Sequence, residues 1–542
     1  MPLLNVMPEG RQFEFAAGES LLAVLLRAGL PVDNACGGRG VCGKCRVRVL
    51  GGDAGAVTDT ERQVLRREDL DRGVRLACLV HPASDLTVEL LHRDRRNDVL
   101  TSGYLPAFAH DVDFSRYAAC EEPYGVAVDI GTTTVVCSLV DLRSGRETAA
   151  AAAVNAQVHF GQDVLSRITY EIEHPETGAR QLQTAIVEAL NGLVRTACDR
   201  AGVAPEQICE YAVSANTTML HMLVGADARP IGTVPFTPAF TAAQDLAAAA
   251  VGLVGAPGAR LYCLPSVSAY VGADIVAGAY VCDLRGEQGN VIFIDIGTNG
   301  EIVLASHGKL LACSCAAGPA LEGMNISAGM RAADGAVEDV ELTPDGLQLT
   351  VIGGGPPAGI CGSGILAATR ELLRTGIVRR TGAFVRADKF YDNDYRRRYL
   401  ITDSNGRRSF RLTDGPEPLR ITQGDIRQVQ LAKGAILSGF TALLQRAGIT
   451  MADLDKVVIA GQFGAHLPAR SLTGTGILPF EVEDRIRYVG NTSATGAYMA
   501  LLSQRVRREM EALARGIEYF ELGALDHYEE LLADCLTFPA VR

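Results

Sequence analysis

The sequence predicts a multidomain protein of mixed α+β and α/β class: a small N-terminal unit, a linker, and a larger body in which one plan occurs twice. Three observations predict it. "DNACGGRGVCGKCRV" (33–47) gathers three cysteines within ten residues. "VAVDIGTTTVVCSLVDL" (126–142) and "VIFIDIGTNGEIVL" (291–304) repeat one strand–turn–strand pattern 166 residues apart. The chain has 542 residues, 48% of them hydrophobic. That is ordinary globular composition and too much chain for one core, so two to four domains are expected.

The elements follow in order. Residues 1–92 form the first unit. "RQFEFAAGESLLAVLLRAGL" (11–30) reads as a strand, a turn and a helix with Leu21, Leu22, Leu25 and Leu26 on one face. "KCRVRVLGG" (44–52) is a strand ending in a Gly-Gly turn. "TDTERQVLRREDL" (58–70) opens with a capping signal, Thr58 or Thr60 ahead of Glu61. "DLTVELL" (85–91) alternates as a half-buried strand does. Residues 93–122 are charged and aperiodic, a linker. From 123 the text changes to strand hairpins alternating with helices. The two hairpins divide this body into 123–286 and 287–542, and their separation indicates a duplicated domain rather than a solenoid, whose period is shorter. The second half adds a long helix, "DIRQVQLAKGAILSGFTALLQRAG" (425–448), then a strand and glycine turn, "KVVIAGQFG" (456–464).

Composition excludes several classes. A formal net charge of −12 argues against a nucleic-acid binder, which needs a basic face. The most apolar stretch, 245–283, is broken by Pro257, Arg260, Pro265 and Asp274, so no bilayer span is expected. "MPLLNVMPEGRQFEF" lacks the basic-then-apolar layout of a signal peptide, and a cytoplasmic protein is expected. Fourteen cysteines in such a chain do not suggest a disulfide framework. Four fall in the first ninety residues. The other ten are scattered, mostly in apolar sequence such as Cys137 and Cys263, where a cysteine serves as a small buried hydrophobe. "CSC" (313–315) has no further partner nearby. His81, His159 and the other seven histidines form no paired-ligand pattern and read as structural.

Cys36, Cys42 and Cys45, followed after 32 residues by Cys78, follow the spacing logic of a 2Fe–2S site, with three ligands from one loop and one from a distant strand. The glycines between them permit the left-handed turns and close backbone approach that wrapping a cluster needs. A zinc site would usually show two CxxC pairs, and only Cys42 and Cys45 make one. Gly38-x4-Gly43-Lys44 resembles a P-loop, but Cys45 stands where Ser or Thr should hold magnesium and no apolar strand precedes it. The block 1–92 resembles adrenodoxin-like and plant-type ferredoxins, which implies a β-grasp fold.

An Asp-x-Gly-Thr hairpin can wrap phosphates with backbone N–H groups and hydroxyls, its Asp near a magnesium ion or an attacking water. Asp129, Gly131, Thr132 and Thr133 form one such turn; Asp295, Gly297, Thr298 and Asn299 form the other. Two facing turns make a phosphate clamp. "GICGSGILAA" (359–368), with Ser363, is either an anion or adenosine seat at a helix start or only a tight helix start. "VIGGGPPAG" (351–359) lacks dinucleotide-binding spacing.

Together these segments resemble the actin-like ATPase superfamily, whose fold is a duplicated RNase-H-like domain. Its motifs occur in order: phosphate 1 at 125–142, connect 1 in "VSANTTMLHMLVG" (213–225), phosphate 2 at 291–304, adenosine in "VVIAGQFGAHL" (457–467) and connect 2 in "VGNTSATGAYMA" (489–500). The adenosine motif implies that Gly461 and Gly464 admit the nucleotide. The pairing of a 2Fe–2S ferredoxin with such a domain resembles the reductive activators of corrinoid proteins. "FGQDVLSRI" (160–168), "AGPALEGMNISAGMRA" (317–332), "ITQGDIRQVQLAKGAI" (421–436) and "FELGALDHYEELL" (520–532) extend the likeness over nearly the whole chain.

The resemblance implies ATP and Mg2+ as ligands, a corrinoid protein of a methyltransferase system as partner, a low-potential electron donor, and a homodimer. The implied task is to pass one electron to Co(II) and restore the Co(I) needed for methyl transfer. Two rivals are an activase of another low-potential enzyme and a redox-sensing module with a degenerate ATPase fold. Activases of the first kind usually hold a 4Fe–4S cluster between subunits, unlike the N-terminal block here, and the intact Asp129 and Asp295 weigh against the second.

Overall fold

The structure, a computed structural model, describes residues 2–7, 10–28, 30, 32, 38, 40, 43, 45–65, 67–91, 104–117, 120–415, 417–461 and 467–540. The chain divides into two compact units, Met1–Arg96 with Ala156–His174, and Asn97–Asn155 with Pro175–Arg542. Among the described residues no helix is long and apolar enough to cross a membrane.

In the first unit β1 (Leu3–Met7), β2 (Arg11–Glu14), β3 (Arg46–Gly52), β4 (Val74–Leu76) and β5 (Leu86–Leu90) form a mixed sheet in the order β2-β1-β5-β3-β4. This is the expected α+β unit, with β1 parallel to β5 and the other pairs antiparallel. Helix α1 (Leu21–Arg27) starts at Ser20, whose hydroxyl accepts from the Ala23 N–H. It buries Leu21, Leu22, Val24 and Leu25. Leu26, expected on that face, is only half-buried, and Val24 takes the fourth core position. Of the two capping residues foreseen for α2 (Asp59–Val64), Thr58 does the work: it bonds the Glu61 N–H while Glu61 bonds back, a capping box. After α3 (Arg67–Asp71), the fully buried Glu61 also receives Arg75 through Nε at 2.8 Å and Nη2 at 2.9 Å. That ion pair ties α2 to β4, the strand that leads into Cys78. The segment 156–174 carries α4 (Val164–Glu173), capped by Asp163.

The second unit holds two six-stranded sheets. The first is β10 (Gln244–Ala247), β11 (Arg260–Cys263), β9 (Ile208–Ala215), β6 (Tyr124–Ile130), β7 (Thr134–Asp141) and β8 (Glu147–Val154), in that spatial order. The second contains β12 (Asn290–Ile296), β13 (Gly300–Ser306) and β14 (Lys309–Cys315). In each sheet three strands run as an antiparallel meander, and a later strand joins the first of them in parallel. The duplication foreseen from the hairpins is therefore a duplication of sheets.

Helices α5 (Gly178–Ala201), α6 (Thr217–Val224), α7 (Ala248–Val251) and α8 (Ala273–Val281) belong to the first copy. The second copy carries an insertion before its parallel strands. It includes β15 (Ala336–Thr343), β16 (Gly346–Val351) and β17 (Gly359–Ile360) in one small sheet, then helix α9 (Gly362–Arg374). A further small sheet of β18 (Leu400–Thr402), β19 (Arg408–Arg411) and β20 (Arg420–Thr422) precedes the long helix α10 (Gln423–Ala447). The parallel strands β21 (Lys456–Ala460) and β22 (Ile486–Gly490) follow, and β23 (Ile517–Tyr519) closes the other edge beside β14.

The two copies exchange helices. Helix α8, from the first copy, packs Gly278 against Phe293 of β12. Helix Thr492–Leu502, from the second, packs on β6, β9 and α8. Part of the stretch read as linker lies on this unit too. The Tyr104 N–H donates to the Val489 carbonyl at 2.8 Å, and the Asp111 carboxylate accepts from the Ser503 hydroxyl and the Arg505 N–H.

Candidate functional site

The hairpin turns leave their strands at equivalent points. Gly131 N–H donates to the Thr134 carbonyl at 2.8 Å, and Gly297 N–H to the Asn299 carbonyl at 3.0 Å. A side chain at Gly131 would meet the Thr134 carbonyl oxygen at 2.8 Å, so the tight turn excludes one. The first turn is held from outside by Asn155, fully buried. Its N–H donates to the Thr133 carbonyl and its Nδ2 to the Gly131 carbonyl, both at 2.9 Å. Asn216, the cap of α6, donates to the Thr132 hydroxyl at 3.2 Å. The connect 1 segment thus abuts the first phosphate turn.

One residue joins the turns. Glu322 is 3% exposed and accepts from the Thr133 hydroxyl at 3.0 Å and from the Thr298 hydroxyl. Burial raises its pKa, against the lowering effect of those two hydroxyls.

The hairpin carboxylates share their surroundings with two acids that the sequence reading did not select. Asp129 accepts from Asn491 Nδ2 at 2.8 Å and Ser493 Oγ at 2.7 Å, both at the start of helix Thr492–Leu502. The connect 2 segment therefore supplies the donors that hold Asp129. Burial still raises its pKa. Burial and the charge of Asp129 push Asp295 up to about 7. Asp274, at the start of α8, is pushed up to about 8 by burial and by the charges of Asp295 and Asp129. Glu301, opposite Asp295 in the β12–β13 register, is raised well above the ordinary range by burial, Asp274 and Asp295. Asp274, Asp295 and Glu301 thus carry a cost in charge repulsion that a cation would relieve. Among the described residues no three acids, histidines or cysteines close on one point as a metal cage. That donor set suits an ion that keeps waters and substrate oxygens, as Mg2+ does.

Gly461 follows β21 with φ of +87°, and a Cβ there would lie 2.3 Å from Asp295 Oδ1. Its missing side chain makes room for the carboxylate. Gly464 lies outside the described residues. Beside Ser363, Gly362 and Gly364 are required because Cβ atoms there would meet the carbonyls of Leu321 at 1.7 Å and Val337 at 2.0 Å. Ser363 itself is half-buried, its Oγ 3.2 Å from Cys361 Sγ.

In the first unit Cys45 and Cys78 are buried with their Sγ atoms 3.3 Å apart. Two thiolates about 2.3 Å from one tetrahedral metal would lie roughly 3.8 Å apart, so the pair fits ligation of one iron. Gly38, Gly40 and Gly43 all have left-handed φ, as a wrapping loop requires. A cavity of about 570 Å³ lined by Gly38, Cys78 and His81, among others, opens beside the pair. Cys36 and Cys42 lie outside the described residues. The scattered cysteines behave as expected: Cys137, Cys263, Cys313 and Cys315 are all core residues.

Three family models match the chain: the 2Fe-2S iron-sulfur cluster binding domain over residues 4–83, the RACo middle region over 124–287, and the C-terminal domain of RACo, the ASKHA domain, over 289–542. The "Corrinoid activation enzyme RamQ" of Eubacterium limosum is 35% identical over 417 residues, 76% of this chain and 70% of that protein. The "[Co(II) methylated amine-specific corrinoid protein] reductase" of Methanosarcina barkeri is 23% identical over 427 residues, 73% of each. Among solved structures, a "Reductive activator for corrinoid,iron-sulfur protein" superposes with a TM-score of 0.69 at 30% identity, covering 100% of this chain and 99% of that one.

Proposed function

This chain belongs to the RACo family, and from that premise we propose that it is an ATP-dependent reductive activator, passing one electron to the Co(II) of a corrinoid protein to regenerate Co(I). The observation that carries the reading is the presence, on one chain, of a buried thiol pair in one unit and two phosphate hairpins bridged through Glu322 in the other. Neither alone would call for the other.

Cys36, Cys42, Cys45 and Cys78 would hold the cluster. When bound, a 2Fe–2S cluster supplies a one-electron carrier of low potential. Thr132, Thr133, Thr298 and Asn299 would contact phosphates, and Gly461, Gly464 and Ser363 the nucleoside. Asp129 and Asp295, with Asp274 and Glu301 beside them, would hold Mg2+ through its waters or orient the attacking water. A plant-type cluster lies near −400 mV, and a corrinoid Co(II)/Co(I) couple below it would make the transfer uphill. At about 59 mV per tenfold for one electron, a few hundred millivolts amounts to several kcal/mol. Nucleotide binding and hydrolysis can supply that only if the states of the complex bind nucleotide differently. A cytoplasmic homodimer drawing on a low-potential donor fits this role.

The test follows Co(I) absorbance anaerobically with reductant, corrinoid protein and the full chain. Co(I) should form with MgATP and be suppressed without it. Equal rates without nucleotide would sink the reading.

A further inference from the structure

The two phosphate hairpins are copies of one plan, yet Glu322, which joins them, belongs to only one copy. It ends a short turn, Pro319–Glu322, and its backbone is fixed from both sides. A Cβ at Gly323 would meet the Met330 carbonyl at 2.2 Å, and one at Gly362 the Leu321 carbonyl at 1.7 Å. The carboxylate is thereby held where it accepts from the Thr133 hydroxyl of the first turn and the Thr298 hydroxyl of the second.

A carboxylate resembles a phosphate edge: two anionic oxygens that accept hydrogen bonds. A hydroxyl has one proton to give. While Thr133 and Thr298 donate to Glu322 they cannot donate to a ligand. We propose that Glu322 is a phosphate-discriminating residue that occupies the two hydroxyls the terminal phosphate of ATP takes, so that ATP must displace it whereas ADP leaves it in place. This rests on the nucleotide-site reading above. Arg331, whose charge already acts on Glu322, offers the displaced carboxylate a new partner. On displacement the terminal phosphate replaces the Glu322 carboxylate as the bridge between Thr133 and Thr298, so a nucleoside triphosphate changes what joins the two copies whereas a diphosphate leaves the carboxylate bridge intact.

The test measures binding of a non-hydrolysable ATP analogue and of ADP, each with Mg2+, to the full chain and to Glu322→Gln. The amide removes the charge that repels the terminal phosphate, so the variant should bind the ATP analogue about tenfold more tightly and ADP within about twofold of wild type. Wild type should bind the ATP analogue no more tightly than ADP. This second measurement needs no variant and so stands even if Glu322→Gln fails to fold. Unchanged or weaker analogue binding by the variant, or an equal gain for both nucleotides, would overturn the proposal. A wild-type preference of tenfold or more for the ATP analogue would overturn it too. Wild type that binds neither nucleotide would instead overturn the nucleotide-site reading.

Discussion

Asp295 and Asp274 are acids whose surroundings oppose charge. Their pKa values of about 7 and about 8 lie well above the ordinary carboxylate range near 4. A folded-state pKa raised in this way favours the folded protein below the unfolded value, and that advantage is lost as pH rises through the folded one. Carboxylates with lowered values, such as Glu61 and Glu371, act in the opposite sense, but only as pH falls toward 4. Between pH 5 and 8 the nucleotide-free protein should therefore melt at progressively lower temperature. MgATP should reverse the loss most strongly at pH 8, where the acids are ionised and a cation relieves their repulsion. Asp274→Asn should raise the nucleotide-free midpoint at pH 8 by about 1 °C for each kcal/mol of repulsion removed, and flatten the pH dependence. Asp295→Asn should keep the fold and lose about 100-fold in ATP turnover, because it removes a carboxylate that the proposed function assigns to the metal's waters or the attacking water. A midpoint that does not change with pH in both wild type and Asp274→Asn would mean these acids do not interact.

At the level of elements, the exchanged helices decide whether the site forms. Gly496 of helix Thr492–Leu502 faces Ala277 of α8 so closely that a Cβ there would lie 2.4 Å from the Ala277 Cβ. Gly496→Ala must push the helices apart, at about 1–3 kcal/mol. Asn491 and Ser493 ride on the same helix and would move away from Asp129. We expect a lower melting temperature together with a fall of about tenfold or more in ATP turnover. Gly192 gives the contrast. It lies in the middle of α5 with nothing within 4 Å of an added Cβ, so Gly192→Ala should gain up to about 1 kcal/mol from helix propensity and leave turnover unchanged. If both substitutions behave alike, close packing of the exchanged helices is not what places the site.

For the whole molecule the consequence is one of tethering. The hydrophobic core of the first unit is drawn from residues 4–90, with 156–174 also belonging to that unit, and Tyr104 and Asp111 bond residues of the second unit. A cut near residue 100 rather than within 104–117 should thus spare the core of 4–90 and the bonds made by 104–117, while 156–174 stays with the larger fragment. The N-terminal fragment should retain about two irons per chain, and the remainder should still hydrolyse ATP. A micromolar mixture of the two should form Co(I) far more slowly than the intact chain, since a short linker confers an effective concentration of roughly millimolar. Full rates from the free fragments would show that the linkage contributes nothing to electron delivery.

The sequence by itself determined the cysteine spacing, the two Asp-x-Gly-Thr turns, their separation and a helix cap at Thr58 or Thr60 ahead of Glu61. All of these are local: a turn, a cap or a ligand loop is specified by neighbours within a few residues, through φ and ψ and short hydrogen bonds. Tertiary structure alone decided which side chains meet across the chain. Asn491 reaches Asp129 over 362 residues, and Glu322 reaches Thr133 over 189. Asp274 reads in the sequence only as a break in an apolar run, and Glu301 as a polar residue in a strand. Their chemistry arises because the packing of two sheets and two exchanged helices removes water from around them and brings their charges together. No short-range pattern encodes that, since burial and charge repulsion depend on where the chain returns rather than on which residues stand beside one another.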